Sequence, residues 1–161
     1  MQRVVVNMEK FNKKDRSTWP YFWAHWFAFQ MTAVMLHRWK FKYLFHDWYK
    51  PWLKMFGWEY KRIQTFHRNH SNHHIEYLLN TLYEKDSNLE LMRTKFDWEE
   101  LIIDWQCSQY TKSACPRGAR KEMERYAEET KEWMGEGMHF YLTCAFKNCM
   151  KPLLDEMNLN D

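Results

Sequence analysis

Residues 19–36 read WPYFWAHWFAFQMTAVML, and they form either a membrane span or a packed helix. Basic flanks at Lys13-Lys14 and Arg38 to Lys40 speak for a span. The run is at the short end of the spanning range, however, and Pro20, His25, Gln30 and Thr32 interrupt it. A packed helix is the preferred reading, and no membrane partner is expected. Ser17 or Thr18 can cap it, and Pro20 suits a first turn, where its missing N–H costs nothing. The helix then extends to about Arg38. Trp19, Phe22, Trp23, Trp26, Phe29, Gln30, Ala33 and His37 recur at helical spacing, so His37 is expected to continue an inward stripe.

Outward from this helix, the sequence favours an all-α, compact, multi-helix single domain. At 161 residues the chain can bury a core without metal or disulfide staples, and four Gly with four Pro argue against a turn-rich β architecture. Residues 1–18 read as a basic lead-in, with a short extended piece at Val4 to Val6, and 19–161 as the helical domain. A helical segment carries Tyr43 to Lys50 before Pro51. Glu59 to about Leu82 reads as one helix, followed by a polar connection from Glu84 to Asn88. Another helix begins at Leu89 or Asp97 and ends near Tyr110. Ser113 to Gly118 is a loop, Ala119 to Met134 a charged helix, and Met138 to Met157 a last amphipathic one.

Charge is unevenly placed. The net charge is +8 over residues 1–80 and −5 over 81–161, a dipole that can steer an anion toward the N-terminal half or reflect two complementary surfaces. Lys40, Lys42, Lys50, Lys54, Lys61, Arg62 and Arg68 supply basic groups without a base-reading motif, so nucleic acid is not an expected partner. Cys107, Cys115, Cys144 and Cys149 lack CxxC spacing. With no signal peptide read at the N-terminus, they suggest reduced thiols in a cytoplasmic protein. Oligomerisation is left open.

The chemistry concentrates in three motifs. His46-Asp47 sits in Leu44 to Lys50 (LFHDWYK); His67, His70, His73 and His74 place four imidazoles in eight residues; and Asp104 lies among Leu101, Ile102, Ile103 and Trp105. Adjacent residues differ by about 100° on a helix, so His46 and Asp47 can share an ion only at a helix edge. His70 and His74 share a face, and His67 and His70 nearly do. His70 with His73 or His74 is therefore the preferred ligand pair. A buried Asp104 needs a cation, a metal or hydrogen-bond donors. Nine residues separate His37 from His46, so both can be ligands only if the helix breaks between Trp39 and Lys42. The structural alternatives are a core His37, a polar histidine face on a surface helix and a solvent-facing Asp104.

These motifs, with His37, resemble those of the family called domain of unknown function 5662 over about residues 30–110. His46-Asp47, Asn72-His73-His74 and Asp104-Trp105 carry the likeness, whereas Tyr49 stands where that family has Ser. No activity comes with it. The ordered set His37, His46-Asp47 and Asp104 is also similar to the metal-binding pattern of HD-domain phosphohydrolases, with a short His37-to-His46 interval. That resemblance implies a helical bundle, His37, His46, Asp47 and Asp104 as metal ligands, and hydrolysis of a nucleotide or other small phosphoester.

The expected function is accordingly metal-dependent phosphoester hydrolysis. Mixed imidazole and carboxylate donors fit Mn, Fe or Zn, with Mg admissible. Asp47 or Asp104 would orient water, and Lys50, His70 or His73 would offset phosphate charge; His74 completes the candidate metal ligands. The alternatives are a nonenzymatic metal- or ligand-binding protein and a helical structural or partner-binding protein.

Overall fold

Thr18 starts the first helix by accepting the Tyr21 N–H on its Oγ1 at 3.4 Å. From there α1 (Trp19–Met35) carries Pro20 in its first turn. The chain is seen in a computed structural model that describes residues 18–84, 93–111, 118–133 and 135–159. The lead-in through residue 17, the extended piece at Val4 to Val6, most of the connection after Glu84, the Leu89 start and residues 113–117 of the expected loop lie outside these.

α1 stops three residues before the expected end at Arg38, for a reason written in its backbone. His37 takes a left-handed φ of 55°. Its N–H bonds to Val34 O at 3.0 Å, and the Arg38 N–H bonds to Ala33 O at 2.9 Å. This pair of bonds is a Schellman end. A 3-10 turn (Phe41–Phe45) follows, tied back to α1 through Gln30 Nε2 to Tyr43 O at 2.6 Å and Trp26 Nε1 to Leu44 O at 3.0 Å. Next comes α2 (Tyr49–Met55), closed by a second Schellman end in which Gly57 supplies φ 82°.

The expected long helix from Glu59 is two: α3 (Tyr60–His70) and α4 (Ile75–Glu84), broken by a turn at residues 71–74. That turn is anchored by the Asp97 N–H to Asn72 O at 2.8 Å. Asp97 in turn caps α5 (Trp98–Thr111), its Oδ1 accepting from the Glu100 N–H at 3.1 Å. α6 (Ala119–Trp133) and α7 (Glu136–Ala145) follow. A π-helical turn (Phe146–Met150) leads into α8 (Lys151–Glu156), and the wider turn precedes Pro152, whose ring would crowd a regular helix.

α5 is the axis. Leu101, Ile102 and Ile103 are fully buried, each contributing about 1.5–3 kcal/mol by burial. On one side, α1 packs along α5, with Phe29 and Ala33 of α1, Tyr43 of the turn and Ile103 and Cys107 of α5 forming one apolar cluster. On another side, Trp98, Leu101, Ile102 and Trp105 meet Leu142, Phe146, Met150 and Leu154 from the last helices. The fold is therefore a compact all-helical single domain, with no strand among the described residues. No described helix is long and apolar enough to cross a membrane.

Candidate metal centre

Between α1, α5 and the two turns, polar groups replace the apolar core. α1 is apolar on nearly every side, so hydrophobicity alone does not orient it. Its buried side is the one carrying His25, Gln30 and Thr32. His25 thereby faces Asp104 on α5, with Nε2 to Oδ1 at 3.1 Å. His46 and Asp47 lie in the bend between the 3-10 turn and α2, not on a helix. His46 has φ −55° and ψ 123°, and Asp47 is left-handed, with φ 62°. That bend lets neighbouring side chains enter the same space, and Asp is among the residues that tolerate it. The His46 ring stacks on Phe29, with centroids 3.8 Å apart, which fixes its plane.

The four groups converge. His25 Nε2 lies 3.8 Å from Asp47 Oδ2, and His46 Nε2 lies 3.7 Å from Asp47 Oδ2 and 4.0 Å from Asp104 Oδ1. Donor atoms bonded to one ion at about 2.1 Å stand roughly 3–4 Å apart, and these separations fall in that window. Two further imidazole sources adjoin. His67 on α3 puts Nε2 3.1 Å from Asp47 Oδ1 and 2.6 Å from His74 Nε2. His67, His73 and His74 hold one donor atom each within 4.8 Å of one another. Asp47 thus presents one oxygen to each group.

Glu100 organises two of the imidazoles. Its Oε1 lies 3.0 Å from His46 Nδ1 and 3.2 Å from His73 Nδ1. A carboxylate accepts hydrogen bonds only, so His46 donates Nδ1–H to it, while His73 Nδ1 stands at ion-pair distance. Both Nε2 atoms are left buried without a hydrogen bond, and among the described residues Asp47 Oδ1 has only the ion-pair contact with His67. Unpartnered buried polar atoms are costly, and a carboxylate on the far nitrogen of His46 is the arrangement by which a histidine is aimed at a metal. The donor set of the cluster fits a borderline divalent ion.

Electrostatics agree with a preformed site. Burial opposes the charge on Asp47, but Lys50, with Nζ at 2.6 Å, and the imidazoles of His67, His46 and His25 outweigh it and hold the carboxyl well below the usual carboxylate range. Burial likewise opposes charge on Asp104, and His25 reverses it. Glu100 is held at about 2 against burial by His46, His73 and Lys42. Burial lowers His67 well below the ordinary histidine value and takes His73 to about 4 and His74 to about 3. Neutral rings result, as ligation requires. Burial lowers His46 too, but Asp47, Glu100 and Asp104 overcome it and raise its pKa.

Two of the expected residues lie elsewhere. His37 is exposed at the end of α1, where its left-handed backbone stops the helix and turns the side chain outward. The helix does break before Lys42, but the break does not bring His37 inside. His70 is also exposed, stacked on Phe66 with Nδ1 donating to Phe66 O at 2.8 Å. Because α3 ends at His70, the face shared by His70 and His74 does not exist. His67 points inward on the same side as Ile63, four residues before it. Ile63 is a signal for His67 in the sequence, as the polar side of α1 is for His25. His46, Asp47, His73, His74 and Asp104 all reach the cluster, and Lys50 borders it.

A cavity of about 130 Å3 leads to the cluster, with Asp47, Asp104 and His74 in its wall and Lys50, Lys54 and Arg68 around it. Comparison with family profiles, curated proteins and solved structures gives no match.

Proposed function

We propose that this chain is a metal-dependent phosphohydrolase acting on a nucleotide or another small phosphoester, with an arrangement like that of HD-domain enzymes. The observation that carries the reading is the meeting of His25, His46, Asp47 and Asp104 at 3.1–4.0 Å. Their chain order is the one the resemblance requires, with His25 in the place first given to His37. One or two Mn, Fe or Zn ions suit the donors, with Mg admissible. When bound, such an ion supplies Lewis acidity, polarising a phosphoryl oxygen and lowering the pKa of water.

The chain's own groups do the rest. Lys50, Lys54 and Arg68 around the cavity attract and neutralise phosphate. Asp47 and Asp104, ionised at neutral pH, can orient a water. His73 presents Nε2 from the side fixed by Glu100. His70 faces away and has no part. Cys144 and Cys149 are free thiols, which fits a cytoplasmic setting.

A nonenzymatic metal-binding protein is the second reading, favoured by the closed packing of His67 and His73. Metal analysis followed by a turnover screen over nucleoside phosphates and simple phosphoesters separates the two. The expected result is metal-dependent phosphate release that is lost in H25A, H46A, D47A and D104A proteins of unchanged helicity. Metal binding without turnover selects the second reading. Turnover indifferent to all four substitutions refutes the site.

A further inference from the structure

The apolar residues that the fold leaves outside are not scattered. Of sixteen large apolar side chains exposed among the described residues, fourteen lie between Trp19 and Phe66. On α1, Trp19, Trp23, Phe27, Met31 and Met35 recur every four residues, each about half exposed. They form the back of the helix whose other side packs on α5. On α2, Trp48, Trp52 and Phe56 follow the same spacing, and Phe56 is 73% exposed. Trp23 and Trp48 meet edge to face at 6.4 Å, joining the two stripes into one surface. A patch of this extent on a water-soluble domain signals something that covers it.

The charges beside it indicate what. Residues 18–75 carry eight Lys/Arg and only two Asp/Glu. Of the two acids, Asp47 is buried in the histidine cluster, leaving Glu59 as the exposed one. Arg38, Lys40 and Lys42 are engaged by Glu99, Asp97 and Glu156. Around α2 and α3 the exposed Lys61 and Arg62 carry cationic charge beside the apolar stripes. A second copy meeting this face through a two-fold axis would set like-charged rims close together. An anionic lipid surface answers both features. Trp and Phe settle at the headgroup boundary, and the basic rim is drawn to the phosphates. Because no described helix can cross a bilayer, the fitting mode is to lie on it.

We infer that the outer face of α1 and α2 is a peripheral docking surface for anionic membranes. This inference is independent of the activity proposed above. The test uses the full chain with vesicles of phosphatidylcholine alone, or with about 30 mol % phosphatidylserine. Sedimentation and tryptophan quenching by brominated acyl chains report binding. Quenched binding to the phosphatidylserine vesicles is expected, weakened at least tenfold in neutral vesicles. W23S/W52S/F56S and K61E/R62E proteins should each lose at least tenfold, while F140S, exposed on α7, should bind as the parent does.

Absence of binding to anionic vesicles overturns the inference, as does binding that both multiple variants retain. Concentration-dependent dimerisation abolished by W23S/W52S/F56S, without vesicle binding, assigns the face to a second copy instead. Should the triple variant fail to fold, quenching of the parent protein and the charge-reversal variant still decide.

Discussion

Replacing Glu100 by Gln keeps the size of the side chain and removes the charge that receives Nδ1–H from His46 at 3.0 Å and faces His73 Nδ1 at 3.2 Å. Outer hydrogen-bond partners of ligating histidines are worth roughly 10- to 100-fold in metal affinity. One carboxylate serves two rings here, so the upper end is expected, about 100-fold or about 2.7 kcal/mol. The metal-free protein should weaken as well. Glu100 is held at about 2 against an ordinary 4.5, which corresponds to at most about 3–4 kcal/mol. A depressed carboxylate pKa gives stability that is present above the ordinary value and lost as pH falls toward the depressed one. The gap between parent and E100Q should therefore be full at pH 7 and narrow between pH 4.5 and 2. Competition titration of Zn or Mn against a chromogenic chelator measures the first effect, and urea denaturation with pH the second. 15N spectra of the imidazoles should also show loss of the Nδ1–H state at His46. An affinity within about threefold of the parent, in a protein of unchanged helicity, would refute the argument.

Further expectations concern helix ends, core and acid. Replacing His37 by Gly should raise stability by up to about 1 kcal/mol, because the position is left-handed, and should leave metal affinity unchanged; lost metal in H37G would return His37 to the site. Ile102→Ala, at a fully buried position on α5, should cost roughly 2–5 kcal/mol in denaturant unfolding, and a cost under about 1 kcal/mol would contradict the packing described. His73 at about 4 and His74 at about 3 lie below the ordinary 6.5, so their stabilising contribution is present above 6.5 and lost as pH falls through those values. Each contributes about 1.4 kcal/mol per pH unit in that window. His46, with a raised pKa, offsets part of this. Thermal melts of metal-free protein should fall between pH 6.5 and 4, and melts flat across that window would mean that these rings are solvated.

The helical class and several helices were legible because their signals are local: the Pro20 start, the apolar run around Asp104 from Leu101 to Trp105 and the charged stretch from Ala119. The His46-Asp47 pair, His73, His74 and Asp104 also do meet, although a helix was the wrong frame for the pair. Asp47's left-handed backbone is what turns it beside His46. His25 was hidden because a helix apolar on every side gives no phase, so a stripe drawn through Trp19 and His37 was as good as any. His67 was displaced by His70 when a 3.6-residue period was carried past Ser71, where the chain leaves the helix. Glu100 gave no signal of its own. In sequence it looks like a first-turn acid three residues after Asp97, and its partners come from segments about thirty and fifty residues away.

Crystals soaked with Mn or Zn and measured at the metal absorption edge test the central claim most directly. An anomalous peak is expected about 2 Å from His46 Nε2 and from carboxylate oxygens of Asp47 and Asp104, with His25 as a further ligand. A second peak, if present, should lie among His67, His73 and His74. Anomalous density only at His37, His70 or the surface, with the buried cluster empty at saturating metal, would contradict the account.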